Sequence, residues 1–268
     1  MSLAINIDFL RHLPKLGART GRFSSASKDA ANSWLLEVSG FGSNPGNLRM
    51  FSFVPDDFKN DSALVVVLHG CTQNAAGYDV GAGWSTLAER YGFALLMPQQ
   101  GASNNANGCL NWFNPEDTAR GSGEACSIRQ MIDRMLRDHR IDRRSVFVTG
   151  LSAGGAMTSV MLATYPDVFA GGAIIAGLPF GLATNMKEAL SDMFRPPSHS
   201  PKALGDLVRR ASQHKGPWPK ISVWHGSADR TVNPSNANAI IKQWLDVHQL
   251  SATPMSERTV DGYPRRIW

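Results

Sequence analysis

The stretch SVFVTGLSAGG, residues 145–155, decides how the rest of the chain is read. It runs from a β-branched and aromatic segment into Gly150-Leu151-Ser152-Ala153-Gly154, and then into small and apolar residues of helical character that Pro166 brings to an end. Gly-x-Ser-x-Gly between a strand and a helix puts the serine on a sharp, strained turn, and glycines two positions to either side let strand and helix approach closely. The Ser152 hydroxyl would then stand at a helix N-terminus, where free amides and the helix dipole favour negative charge. Ser152 therefore reads as a nucleophile, against the competing reading of a structural turn.

Working outward, short apolar runs at residues 64–68, 93–97, 146–148, 173–176 and 221–224 have the look of strands buried on both faces. Helical patterns lie between them. Ile128, Met131, Ile132, Met135 and Leu136 share one stripe, a second helix runs from Ala153 to about Tyr165, and a third follows Asn233 as its cap, with Pro234 in the first helical position. Strands alternating with helices specify an α/β fold whose central sheet is mostly parallel, with helices on both faces. Ahead of this alternation, SWLLEVSGFGSNPGNLRMFSFVP predicts an antiparallel hairpin. Residues 1–33 read as a terminal arm, 34–268 as the folded domain, and 181–220 as an insertion, because two short helical pieces among RPPSHSP and GPWP are too long for an ordinary connection.

Composition narrows the function. With 43% hydrophobic residues the chain can bury a large core, which sets disorder aside, and its aliphatic runs are too short to span a bilayer. The net charge of +5 falls mostly within residues 187–220 and reads as a solvated face, so no nucleic-acid partner is expected. There is no His-Glu-x-x-His, no phosphate-binding Gly-x-x-x-x-Gly-Lys and no dinucleotide fingerprint, so the expectation is no metal and no cofactor. Cys71, Cys109 and Cys126 are too few for a disulfide scaffold and allow at most one bridge.

Two further strand ends carry chemistry. ALVVVLHGCTQ ends in His69-Gly70-Cys71 where an oxyanion hole needs its second amide, so the backbone N–H groups of Cys71 and Ala153 are the candidate donors. His69 in such a turn reads as a loop-ordering residue. ISVWHGSADRTVN follows the last apolar run with Asp229, in the chain order serine then acid, which reads as the residue orienting a catalytic imidazole; the alternative is a turn or capping aspartate. His225 in the same loop reads as loop-ordering. Trp112 and Phe113 offer either an aromatic wall for substrate or core packing.

In order along the chain, HGCTQ, GCLNWF, GLSAGGAMTSVMLATYPDVFAG and HGSADRTVNPSN resemble the esterase PHB depolymerase family, which includes polyhydroxybutyrate depolymerases and feruloyl esterases. The resemblance spans residues 47–268. It implies an α/β-hydrolase fold, Ser152 as nucleophile, Asp229 as triad acid, the Cys71 and Ala153 amides as oxyanion hole, and a disulfide between Cys71 and Cys109. The implied activity is hydrolysis, through an acyl-enzyme, of hydroxyalkanoate esters, polymeric or small, or of feruloyl-type aryl esters; the alternative is an inactive homologue that binds without turnover. A persistent disulfide implies an extracellular or periplasmic protein, against a cytoplasmic one suggested by the absence of a visible leader. Oligomeric state is not legible.

The family's triad histidine lies in a Gly-His pair beyond the segment DGYPRRIW, and none of the seven histidines here carries that motif. The expectation is a chain that continues past Trp268 to supply it, with an inactive relative or a histidine from the insertion or another subunit as alternatives. VDGYPRRIW reads as a strand whose pairing partner is missing.

Overall fold

The computed structural model describes residues 33–268; the expected arm lies almost wholly outside them. Seven strands form one sheet: β1 (Leu36–Val38), β2 (Arg49–Phe53), β3 (Ser62–Leu68), β4 (Ala94–Gln99), β5 (Ile141–Leu151), β6 (Gly171–Ile175) and β7 (Lys220–Trp224). Their spatial order is β1-β2-β4-β3-β5-β6-β7, with β1 and β2 antiparallel at one edge and every pair from β4 to β7 parallel. Parallel neighbours need crossover connections, and helices supply them. In chain order these are α1 (Ala75–Ala82), α2 (Trp84–Tyr91), α3 (Pro115–Thr118), α4 (Gly123–Asp138), α5 (Ala153–Thr164), α6 (Met186–Phe194) and α7 (Pro201–Arg210), and α8 (Ser235–Val247) follows the last strand of the sheet.

The alternation of side chains along a strand divides the core between the two faces of the sheet. Leu64, Val66, Leu68 and Leu96 turn toward Ile128, Met131 and Ile132 of α4, Met157 and Val160 of α5, and Ile240 and Trp244 of α8. Val67, Leu95 and Met97 turn the other way, onto Ala75 and Tyr78 of α1 and Ala88 of α2. The insertion holds the two short helices expected of it, α6 and α7, and Val208 of α7 reaches the first of these clusters.

Three expectations need correction. The run at residues 221–224 is not buried on both faces: β7 is the outer strand of the sheet, it alternates exposed and half-buried positions, and Trp224 is 58% exposed. The cap of α8 is Pro234 rather than Asn233, whose side chain instead accepts from the Ser235 backbone N–H at 2.9 Å. VDGYPRRIW does have a partner, since β8 (Ser256–Val260) and β9 (Tyr263–Ile267) pair antiparallel as a hairpin. Its turn is Asp261-Gly262, both at positive φ, a pairing suited to a two-residue hairpin. The chain divides into two compact units, with Ser251–Trp268 in one and the sheet and its helices in the other.

Ile128 is fully buried at the centre of the α4 stripe. Ile128→Ala should destabilise the protein by about 2–5 kcal/mol, read as a lower urea midpoint with unchanged denaturant slope.

Candidate active site

Ser152 joins β5 to α5 with φ 56° and ψ −117°, a conformation that a non-glycine residue holds only when its surroundings enforce it. Its amide donates to Ile175 O at 3.0 Å and its carbonyl accepts from Ala156 N at 2.9 Å, so both sides of the bend are tied. A Cβ on Gly154 would lie 2.1 Å from Leu68 O, and one on Gly150 would lie 2.3 Å from Gly154 O. Only glycine allows α5 to start so close to the end of β3. The flanking glycines of the motif are thus the reason the serine sits against the His69 loop.

That loop is held from below. His69 is buried; Gln100 N donates to its Nε2 at 3.2 Å, which leaves the proton on Nδ1 to donate to Gly70 O at 2.8 Å. Burial holds the imidazole below its ordinary value, so the ring stays neutral. Gly70 N donates to Gln73 Oε1 at 2.8 Å, and a Cβ on Gly70 would fall 3.6 Å from the Ser152 Cβ. Thr72 N donates to Asn107 O at 2.7 Å, and Cys71 is disulfide-bonded to Cys109, the pairing that the resemblance implies. Among the described residues, the Cys71 and Ala153 amides donate to no protein acceptor.

Leu151 at the end of β5 is in register with Ile175 of β6, and Ile175 with Trp224 of β7. The strand ends leading to Ser152 and to the Asp229 loop are therefore two ladder spacings apart, about 10 Å, on the same rim of the sheet. Asp229 Oδ1 accepts from Thr231 N at 2.8 Å and Val232 N at 3.0 Å, so this carboxylate shapes its own turn as well. Oδ2 lies 3.4 Å from His225 Nε2, which is 2.9 Å from Val232 O. Ala156 of α5, Leu178 and Val232 form a small apolar cluster with Trp112 and Met193 packed against it, bringing the helix that follows Ser152 and the Asp229 loop to one patch. Trp112 also packs on the main core, and its ring meets Phe113 edge-on at 5.6 Å.

No histidine among the described residues is hydrogen-bonded to Ser152. His214 and His248 are engaged by Pro217 O and Pro219 O, at 2.9 and 3.1 Å. His139 caps α4 with its ring against Phe58, and His199 is exposed in the insertion.

The site also rests on a residue that pattern reading passed over. Glu124, fully buried, accepts from Gln100 Nε2 and from Asn111 N, the latter at 2.8 Å. Burial pushes its carboxyl up to about 8, against the opposing pull of those hydrogen bonds. A signal was available: Glu124 stands four positions before Ile128, a charged residue on the apolar stripe of α4.

A mostly parallel seven-stranded sheet with a strained serine elbow, and an aspartate loop two strands further on, defines the α/β-hydrolase fold. The fold agrees with that of the acetyl xylan esterase from Aspergillus awamori, at TM-score 0.82 and 29% identity over 87% of this chain and 88% of that one. The profile of the family described as esterase PHB depolymerase matches residues 51–261, and the chain belongs to that family. It is 51% identical to poly(3-hydroxyalkanoate) depolymerase C of Paucimonas lemoignei, over 87% of this chain and 56% of that protein. It is 32% identical to feruloyl esterase B of Talaromyces stipitatus, over 87% of this chain and 67% of that protein. The chain thus spans between about half and two thirds of the length of the curated relatives it matches first.

The Cys71–Cys109 bridge closes a separation of 38 residues, so Cys71→Ser with Cys109→Ser should lower stability by about 2–4 kcal/mol in urea titration. Glu124 holds its proton more tightly folded than unfolded, so its contribution is complete below the ordinary value of 4.5 and is lost as pH rises through about 8. The urea-derived stability of wild type relative to Glu124→Gln should fall by about 1.4 kcal/mol per pH unit across that window.

Proposed function

We propose that this protein is a serine carboxylic-ester hydrolase working through an acyl-enzyme. The observation that carries the reading is the strained Ser152 elbow, on the same rim as Asp229 and next to two backbone amides that have no protein acceptor among the described residues. Ser152 Oγ attacks the ester carbonyl while an imidazole supplied from outside the described residues takes its proton, because a serine hydroxyl is otherwise a weak nucleophile at neutral pH. The oxyanion accepts hydrogen bonds from Cys71 N and Ala153 N, each donor contributing about 3–4 kcal/mol in sites of this kind. The same proton passes to the departing alcohol, and water then releases the acid by the reverse sequence. Asp229 Oδ2, the oxygen not committed to the turn amides, holds the imidazole in its tautomer and stabilises it when charged.

The substrate class is a hydroxyalkanoate ester, as small molecule or polymer, or a feruloyl-type aryl ester. Relatives named as depolymerase and feruloyl esterase support that range, and Trp112 and Phe113 supply an aromatic wall suited to either acyl group. The disulfide supports an oxidising compartment, extracellular or periplasmic, and among the described residues no helix is long and apolar enough to cross a membrane.

In the natural full-length protein, a fluorophosphonate probe should label wild type and leave Ser152→Ala unlabelled, with p-nitrophenyl butyrate hydrolysed only by wild type. Asp229→Asn should keep the fold and lower kcat by about 10³–10⁴. Absence of any Ser152-dependent labelling or turnover would replace this reading with that of a non-catalytic binding homologue on the same fold.

A further inference from the structure

Gln100 is tied through its backbone N–H and through both polar atoms of its side chain. Its backbone N–H donates to His69 Nε2 at 3.2 Å, and its Nε2 donates to Cys109 O at 2.9 Å and to Glu124. Its Oε1 accepts from Gly101 N at 2.9 Å and Asn104 Nδ2 at 2.8 Å. Glu124 spends its second oxygen on Asn111 N, in the loop that follows Cys109.

Two routes lead from this pair to Cys71. One passes through Cys109 and the disulfide. The other passes through His69, whose Nδ1–H grips Gly70 O at 2.8 Å, while Gln73 N donates to the same carbonyl at 3.3 Å. Gly70 C=O and Cys71 N–H belong to one rigid peptide plane and point in opposite directions. Holding the carbonyl from beneath therefore sets the direction in which the Cys71 amide is presented.

We infer that Gln100 and Glu124 are positioning residues for the oxyanion-hole amide of Cys71: they anchor the Gly70–Cys71 peptide plane, through His69, from one side and the Cys109 end of the disulfide from the other. The inference rests on the esterase reading above and adds to it a specific task for two buried residues that touch neither substrate nor Ser152. A generic core role would destabilise the protein when lost. A positioning role alters how well the site discriminates the oxygen that accumulates charge.

The test uses the natural full-length protein with p-nitrophenyl butyrate and its thionoester counterpart, in which sulfur replaces the carbonyl oxygen and accepts amide hydrogen bonds poorly. Glu124→Gln should lower kcat for the oxygen ester by about ten- to a hundredfold with KM moved less than about twofold, and should lower the oxygen-to-sulfur rate ratio by a similar factor. Gln100→Met keeps the backbone donor to His69 and removes only the side-chain links; it should move the ratio in the same direction, and it carries the test if Glu124→Gln does not fold. An unchanged ratio in a folded variant, with wild type active, overturns the inference and leaves the esterase reading standing. A wild type with no Ser152-dependent turnover of either ester overturns both.

Discussion

The site depends on one steric constraint, the contact between the start of α5 and the end of β3. Gly154 brings its backbone so near to Leu68 O that no side chain fits between them, and Gly150 completes the approach from the strand side. That contact puts Ser152 beside the Gly70 turn, ties its amide to Ile175, and leaves it with a positive φ that isolated chain would abandon. Twelve consecutive buried residues in α5 hold the helix in place, so the strain of a single residue is supported by the packing of a whole element.

Around this contact the site is assembled from three strand ends that the parallel sheet brings to one rim. β3 delivers the His69–Cys71 loop, β5 delivers Ser152, and β7 delivers Asp229, with β6 serving as the spacer between the last two. Covalent and polar ties then stiffen what the sheet only brings near. The disulfide joins the β3 loop to the segment before Trp112, and Glu124, reaching in from the first turn of α4, gathers that segment and Gln100 by hydrogen bonds. Burying the Glu124 carboxyl beneath this loop costs it solvation, and the same burial raises its proton affinity. The two parts of the candidate site differ in kind: Ser152 is held by packing, and the His69–Cys71 loop by a polar network.

Much of the fold was legible in the chain. Strands β3 to β7, the α4 stripe, the termination of α5 near Pro166 and the opening hairpin all follow from periodicity and turn chemistry, because each is a local consequence of residue type. The exposure of β7 was not legible, since an apolar run reads alike in the middle of a sheet and at its edge. The hairpin at residues 256–267 departs from the expectation of an unpaired strand, and its turn, Asp261-Gly262, is a local signal in the chain.

By itself, the sequence determined the chemistry on offer: a serine on a glycine-flanked bend, an aspartate after a later strand, a His-Gly-Cys turn, and four motifs whose order matches one family. Those are statements about local conformation and residue type, which the chain carries within a few positions. Only the tertiary structure decided that Gln100, Asn111 and Glu124 meet, that His69 faces downward with its proton on Nδ1, and that His225 is engaged by its own loop. Such contacts join residues from separate crossovers of the sheet. Their existence depends on strand order and register, which spacing along the chain does not encode.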